Sequence, residues 1–134
     1  MSGRPTLVGV KKYLPAAVVD VLLVLIFAAL GRRSHEEAST IGGLLTTAWP
    51  FLTGLAAGWI VTLGLYRNKF DSRLAVPTGV IVWLSTLVVG MLLRVVSDQG
   101  TAFSFIVVAA SFLGLFLIGW RALYQAVRKR RTLA

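Results

Sequence analysis

Leu14 to Leu30 is an apolar run interrupted by one charge, Asp20. A helix rises about 1.5 Å per residue, so the run covers about 25 Å, and a little flanking helix completes a hydrocarbon core of about 30 Å. Three more runs of membrane length follow it. That repetition fixes the class, because a soluble fold cannot bury four such segments in a chain this short. Lys11 and Lys12 precede the first run and Tyr13 stands at its edge, as at a membrane interface. Pro15 falls in the first turn, where a missing N–H breaks no helical bond. A secretory signal is the competing reading, since Ala29-Leu30-Gly31 offers small residues to a peptidase. The run exceeds the length of a signal core, Arg32 and Arg33 follow at once, and further spans come after, so the sequence predicts a retained span.

Composition agrees. A chain of 134 residues would suit one soluble domain, but 57% of it is hydrophobic and only 14% is charged. Ordinary domains are about a quarter charged. The net charge of +9 invites a nucleic-acid reading. The basic residues are instead scattered at the ends of apolar runs, with no basic face and no binding motif, so no nucleic-acid partner is expected. The chain has no cysteine, which excludes disulfides, thiolate metal sites and a cysteine nucleophile.

The expected fold is all-α: one polytopic domain, residues 1–134, with a four-helix transmembrane bundle spanning about 13–31, 41–66, 76–96 and 102–125. Residues 1–10 read as a short tail. In GRRSHEEAST, Ser39 and Thr40 are natural N-caps for the second span. Pro50 either kinks that span, with the Thr46 and Thr47 hydroxyls serving freed backbone groups, or marks its start. Gly54 and Gly58 form a GxxxG pair that permits close backbone approach. Thr86 with Gly90, and Ala110 with Gly114, repeat the small-xxx-small spacing on spans three and four. Pro77 lies in the first turn of span three, and Ser97 to Gly100 form a tight turn before Thr101 as N-cap. RKRRTLA reads as a short basic tail in contact with anionic lipid.

Four spans bring both termini to one side. That side carries Arg4, Lys11, Lys12, Arg67, Lys69, Arg73, Arg121, Arg128, Lys129, Arg130 and Arg131. The other carries Arg32, Arg33 and Arg94. The positive-inside bias therefore predicts both termini in the cytoplasm. Tyr13, Tyr66, Trp120 and Tyr124 would stand at the inner boundary, and Trp49 and Phe103 at the outer one.

Asp20, the stretch FAALGRRSH (27–35), TAWPFLTGLAAGW (47–59) and an arginine late in span three together resemble a family of small bacterial and archaeal membrane proteins. It is catalogued as domain of unknown function 3054 and is well represented in actinobacteria. The resemblance covers nearly the whole chain and implies a four-helix membrane protein, multi-pass in the cytoplasmic membrane of a bacterium. It implies no activity.

Asp20 stands about 9 Å inside the apolar run. An acid at a helix centre costs about 2.5–3.5 kcal/mol on insertion scales, so such residues face the bundle interior. Three readings stay open: a structural pair with Arg121 on span four, a proton or ligand site, and shallow placement in reach of water. Arg32, Arg33, His35, Arg94 and Trp49 form a candidate outer anion site, since guanidinium groups suit phosphate and carboxylate. Snorkelling to headgroups and pairing with Glu36, Glu37 and Asp98 is the plainer account. Trp59 and Trp83 either line a path or pack between helices. No metal or other cofactor is expected, because one histidine beside adjacent glutamates supplies too few ligands. Enzymatic activity is not expected either.

Two functional readings remain. One is a small homodimeric transporter, or a protein handling lipid or anions. The other is an accessory or assembly subunit of a larger membrane complex, with a membrane-protein partner. The bilayer and its anionic lipids are the expected surroundings in both.

Overall fold

A computed structural model describes residues 7–32, 41–66, 71–99 and 101–133. Helix α1 is Leu7–Arg32 and α2 is Ile41–Tyr66. A kinked stretch, Ala75–Gly79, closed by Gly79 N–H to the Leu74 carbonyl at 2.9 Å, leads into α3, Val80–Val96. The last rod is α4, Phe103–Leu113, a π segment, Gly114–Ile118, and α5, Gly119–Leu133. Among the described residues, four helices are long and apolar enough to cross a membrane. The chain is an all-α, multi-pass bundle. Below, the terminal end is where α1 begins and α5 stops, and the far end is the opposite one.

Several details depart from the sequence expectation. Helix α1 begins at Leu7, inside the stretch read as a tail, because extending a nucleated helix costs little. Span three does not open as a regular helix around Pro77. Val76 is extended, at φ −126° and ψ 126°, and the Val76–Pro77 peptide is cis. A residue before proline is driven away from the helical region, so regular helix waits until Val80. Thr101 does not cap the last rod. Ala102 is the N-cap, with no side-chain bond, and its carbonyl receives Ile106 N–H at 3.0 Å. The basic tail is helical to Leu133, since Lys and Arg favour helix and complement its C-terminal dipole.

Helix α2 runs through Pro50 from Ile41. The Thr46 hydroxyl donates to the Gly42 carbonyl at 2.9 Å, one turn back, and so does not serve a group freed by the proline. The expected caps Ser39 and Thr40 lie outside the described residues, as do Gly100 and residues 67–70 of the second connection. The turn after α3 closes through Gln99 N–H to the Arg94 carbonyl at 2.8 Å, with Asp98 at φ 60°, a conformation Asp tolerates.

Helices α2 and α3 make the closest pair. A Cβ on Gly54 would stand 2.8 Å from the Ser85 carbonyl oxygen and 2.9 Å from Thr86 Cα. One on Gly58 would stand 3.0 Å from Val82 Cα. Gly90 receives the Phe51 ring, and Gly114 receives the Trp83 indole, whose N–H donates to the Ala110 carbonyl at 3.0 Å. The small-residue faces are thus all spent inside one chain. Within lipid, close backbone approach of this kind supplies the packing that water would otherwise drive.

The far half of the core is aromatic. Phe27 meets Phe51 edge-on at 5.1 Å and Phe112 at 5.4 Å, with Phe105 at 6.1 Å. Val24, Leu55, Val82, Ala109, Leu113 and Leu117 complete the core cluster along the bundle. In the last rod, Ala109, Leu113, Leu117 and Arg121 are all buried. Steps of four residues overshoot a 3.6-residue turn by about 40° each, so this stripe would wind off its face over three steps. The wider π turn at Gly114–Ile118 takes back part of that drift and carries Arg121 to the inward side.

Candidate functional site

Asp20 and Arg121 meet in the terminal half of the bundle. Arg121 Nη2 lies 2.6 Å from Asp20 Oδ2 and Nη1 lies 3.0 Å from Oδ1, a two-point pairing of planar groups. Both side chains are fully buried. Two indoles complete the carboxylate's shell. Trp59 Nε1 donates to Oδ2 and Trp120 Nε1 donates to Oδ1, each at 2.9 Å. An ionised carboxylate has about four lone-pair directions, so its accepting capacity is filled.

The arginine is held equally well. Its Nε donates to the Ser72 carbonyl at 2.8 Å and Nη1 also reaches the Leu117 carbonyl at 3.0 Å. Its guanidinium carbon sits 4.8 Å from the Trp120 ring centre. Gly79 makes room for the stem: a Cβ there would stand 3.1 Å from Arg121 Cδ. The Thr78 hydroxyl donates to the Asp71 carbonyl at 2.6 Å and folds the 71–74 turn beneath the pair.

The Asp20 carboxylate joins α1, α2 and α5, and Arg121 ties in the turn before α3. Burying both charges costs several kcal/mol per ion, and the pairing and added hydrogen bonds offset that cost. Sequence reasoning paired Asp20 with Arg121 by depth but missed the roles of Trp59, Trp120, Ser72 and Gly79. A depth signal existed for Trp59. It lies as far before Tyr66 as Asp20 lies after Tyr13, and both tyrosines mark the same interface.

The candidate outer anion site is not assembled by the described residues. Arg33 and His35 lie outside them, as does the side chain of Arg32. Arg94 turns onto its own loop. Nη1 and Nη2 donate to the Gln99 side-chain and backbone oxygens at 3.3 and 2.8 Å, and the guanidinium carbon lies 4.4 Å from the Phe105 ring centre. Trp49 is exposed on α2.

A second polar feature lies at the terminal end. A cleft of about 500 Å³ is lined by Asp71, Arg73, Leu74, Tyr124, Gln125, Arg128 and Lys129. Arg73 Nη1 donates to the Tyr124 hydroxyl at 2.8 Å, and its guanidinium carbon lies 5.1 Å from the ring centre. Arg73 N–H is received by Asp71 Oδ1 at 3.0 Å, and Ala75 N–H by Gln125 Oε1 at 3.0 Å.

Residues 17–124 match the family model described as protein of unknown function DUF3054. The chain belongs to this family. The match begins before Asp20 and ends after Arg121, so it takes in both halves of the charge pair, all four helices and part of the cleft. No curated protein and no solved structure matches the chain. The family description assigns no activity, and the functional reading rests on the geometry alone.

Proposed function

We propose that this family member is a four-span protein of the bacterial cytoplasmic membrane, with both termini inside, that handles anionic lipid or a small anion at its inner face. The cleft between the 71–75 turn and α5 carries the reading. Among the described residues, three cationic side chains, Arg73, Arg128 and Lys129, and one carboxylate, Asp71, line a pocket of ligand size. Basic clefts between helices on the cytoplasmic side are where acidic headgroups bind.

The charge pair is a separate, closed feature. Asp20 accepts from four donors and is sealed from water, which suits a clamp and not a proton path. The glycine faces contact helices of the same chain, so the reading needs no dimer.

Native mass spectrometry of the full chain, purified in mild uncharged detergent, tests the proposal. The expected result is a retained anionic lipid or small anion, lost at high salt. A protein without anionic adducts that instead carries a stoichiometric membrane partner would replace this reading with that of an accessory subunit.

A further inference from the structure

We propose that the occupant of the terminal-end cleft is the phosphate of an anionic phospholipid headgroup, with the acyl chains running down the outside of the bundle. The inference rests on the anion-handling reading and names its ligand.

The guanidinium of Arg73 is preorganised. Its face lies on the Tyr124 ring and Nη1 is fixed by the hydroxyl, while Nη2 has no hydrogen bond among the described residues. A planar fork held in this way loses little side-chain freedom when it takes up an oxyanion. Arg128 lies one turn beyond Tyr124 on the exposed face of α5, and Lys129 follows it. The lining thus combines a fixed cation from the turn with Arg128 and Lys129 from the helix. Asp71 is the one opposing charge among the described lining residues, and its Oδ1 is occupied by Arg73 N–H.

Depth selects the source of the phosphate. Asp71, Arg73 and Leu74 stand just before the span Ala75–Val96, and Tyr124, Gln125, Arg128 and Lys129 fall in the last two turns of the span Phe103–Arg130, where headgroups would meet a helix end. Below the cleft the surface turns apolar. Val76 is 70% exposed and follows Ala75, whose N–H is bonded to Gln125. Leu123 is 66% exposed on α5, next to Tyr124. A free phosphate gains nothing from this lip, whereas a lipid covers it with its chains.

The cleft is also tied to the buried pair. Ser72, whose carbonyl receives Arg121 Nε, sits between Asp71 and Arg73. The clamp therefore sets where the Arg73 fork stands.

The test titrates the purified full chain in uncharged detergent with short-chain phosphatidylglycerol, short-chain phosphatidylcholine and inorganic phosphate. Thermal unfolding is the readout, for the wild type, Arg128→Gln and Tyr124→Phe. Arg128 is exposed, so its substitution leaves the fold intact. Phosphatidylglycerol should raise the midpoint saturably, and the other two ligands should not. The apparent affinity should fall about tenfold in Arg128→Gln, one lost charge-assisted contact, and also fall in Tyr124→Phe, which releases Arg73. Inorganic phosphate matching the lipid, with the same dependence on Arg128, would overturn the lipid assignment and leave the anion-handling reading standing. Equal responses to both lipids, or no effect of either variant, would overturn the site. No response from the wild type, while an anionic adduct persists in the mass spectrum, would place the anion elsewhere and overturn this cleft alone.

Discussion

Arg121 Nε lies 2.8 Å from the carbonyl oxygen of Ser72, and this bond ties a buried charge pair to the turn that begins the third span. Arg121 thus serves two other elements from one planar group, with Asp20 across the bundle and Ser72 beneath it, besides the Leu117 carbonyl of its own rod. Loss of the arginine releases both.

Asp20→Asn and Arg121→Gln should each destabilise the chain by about 3–5 kcal/mol, because each leaves a charge buried without its counterpart. The double variant should recover part of the combined loss. Unfolding in detergent, arranged as a double-mutant cycle, measures the coupling. Strict additivity would mean that the two side chains do not stabilise one another.

The indoles are expected to matter in proportion to their bonds. Trp59→Phe and Trp120→Phe each remove one N–H donor to a charged carboxylate, a loss of about 1.5–3 kcal/mol. The same unfolding assay reads both. If both variants unfold like the wild type, the carboxylate does not depend on its indole shell.

Gly54→Ala should destabilise and Gly64→Ala should not. A methyl on Gly54 would meet the backbone of α3 at 2.8 Å, so α2 must withdraw and stability should fall. Gly64 has nothing within 4 Å, and a helical alanine there should be neutral or stabilising by about 0.5–1 kcal/mol. Matching effects of the two variants on the midpoint would separate stability from the α2–α3 contact.

Thr86→Val is expected to stabilise, on the order of 1 kcal/mol. Among the described residues, Thr86 Oγ1 is the one buried side-chain polar atom without a hydrogen-bond partner. An unmade bond at a buried hydroxyl costs free energy that a methyl of similar size avoids. A lower unfolding midpoint would show that the hydroxyl has a partner in the membrane.

Topology can be read in cells. Reporter fusions after residue 134 and within residues 67–73 should report cytoplasm, and fusions near residues 36 and 99 should report the outside. A cytoplasmic signal at residue 36 would exclude the proposed orientation.

The sequence by itself determined the number of spans and their approximate limits. Hydrocarbon cannot satisfy backbone groups, so each long apolar run is forced into a helix whatever its neighbours do. Depth along those helices could also be counted, and it placed Asp20 level with Arg121 across antiparallel rods. The spacing of Gly54 and Gly58 marked a face for close packing, without naming its partner.

Tertiary structure decided the rest, because helix azimuth and break points are set by contacts between elements. The π turn at Gly114–Ile118 turns Arg121 inward, and no local propensity in that apolar stretch announces it. Trp59 and Trp120 come from different helices, and only the assembled bundle brings both indoles to one carboxylate. Arg94 was legible as a cation at the edge of the bilayer, yet its own turn and Phe105 claim it. The cleft was least legible of all. Its walls, Arg73 and Tyr124, are far apart in sequence, and each read alone is an ordinary interfacial residue. Their meeting depends on the Ser72 turn, and that turn is held by a charge buried one helix away.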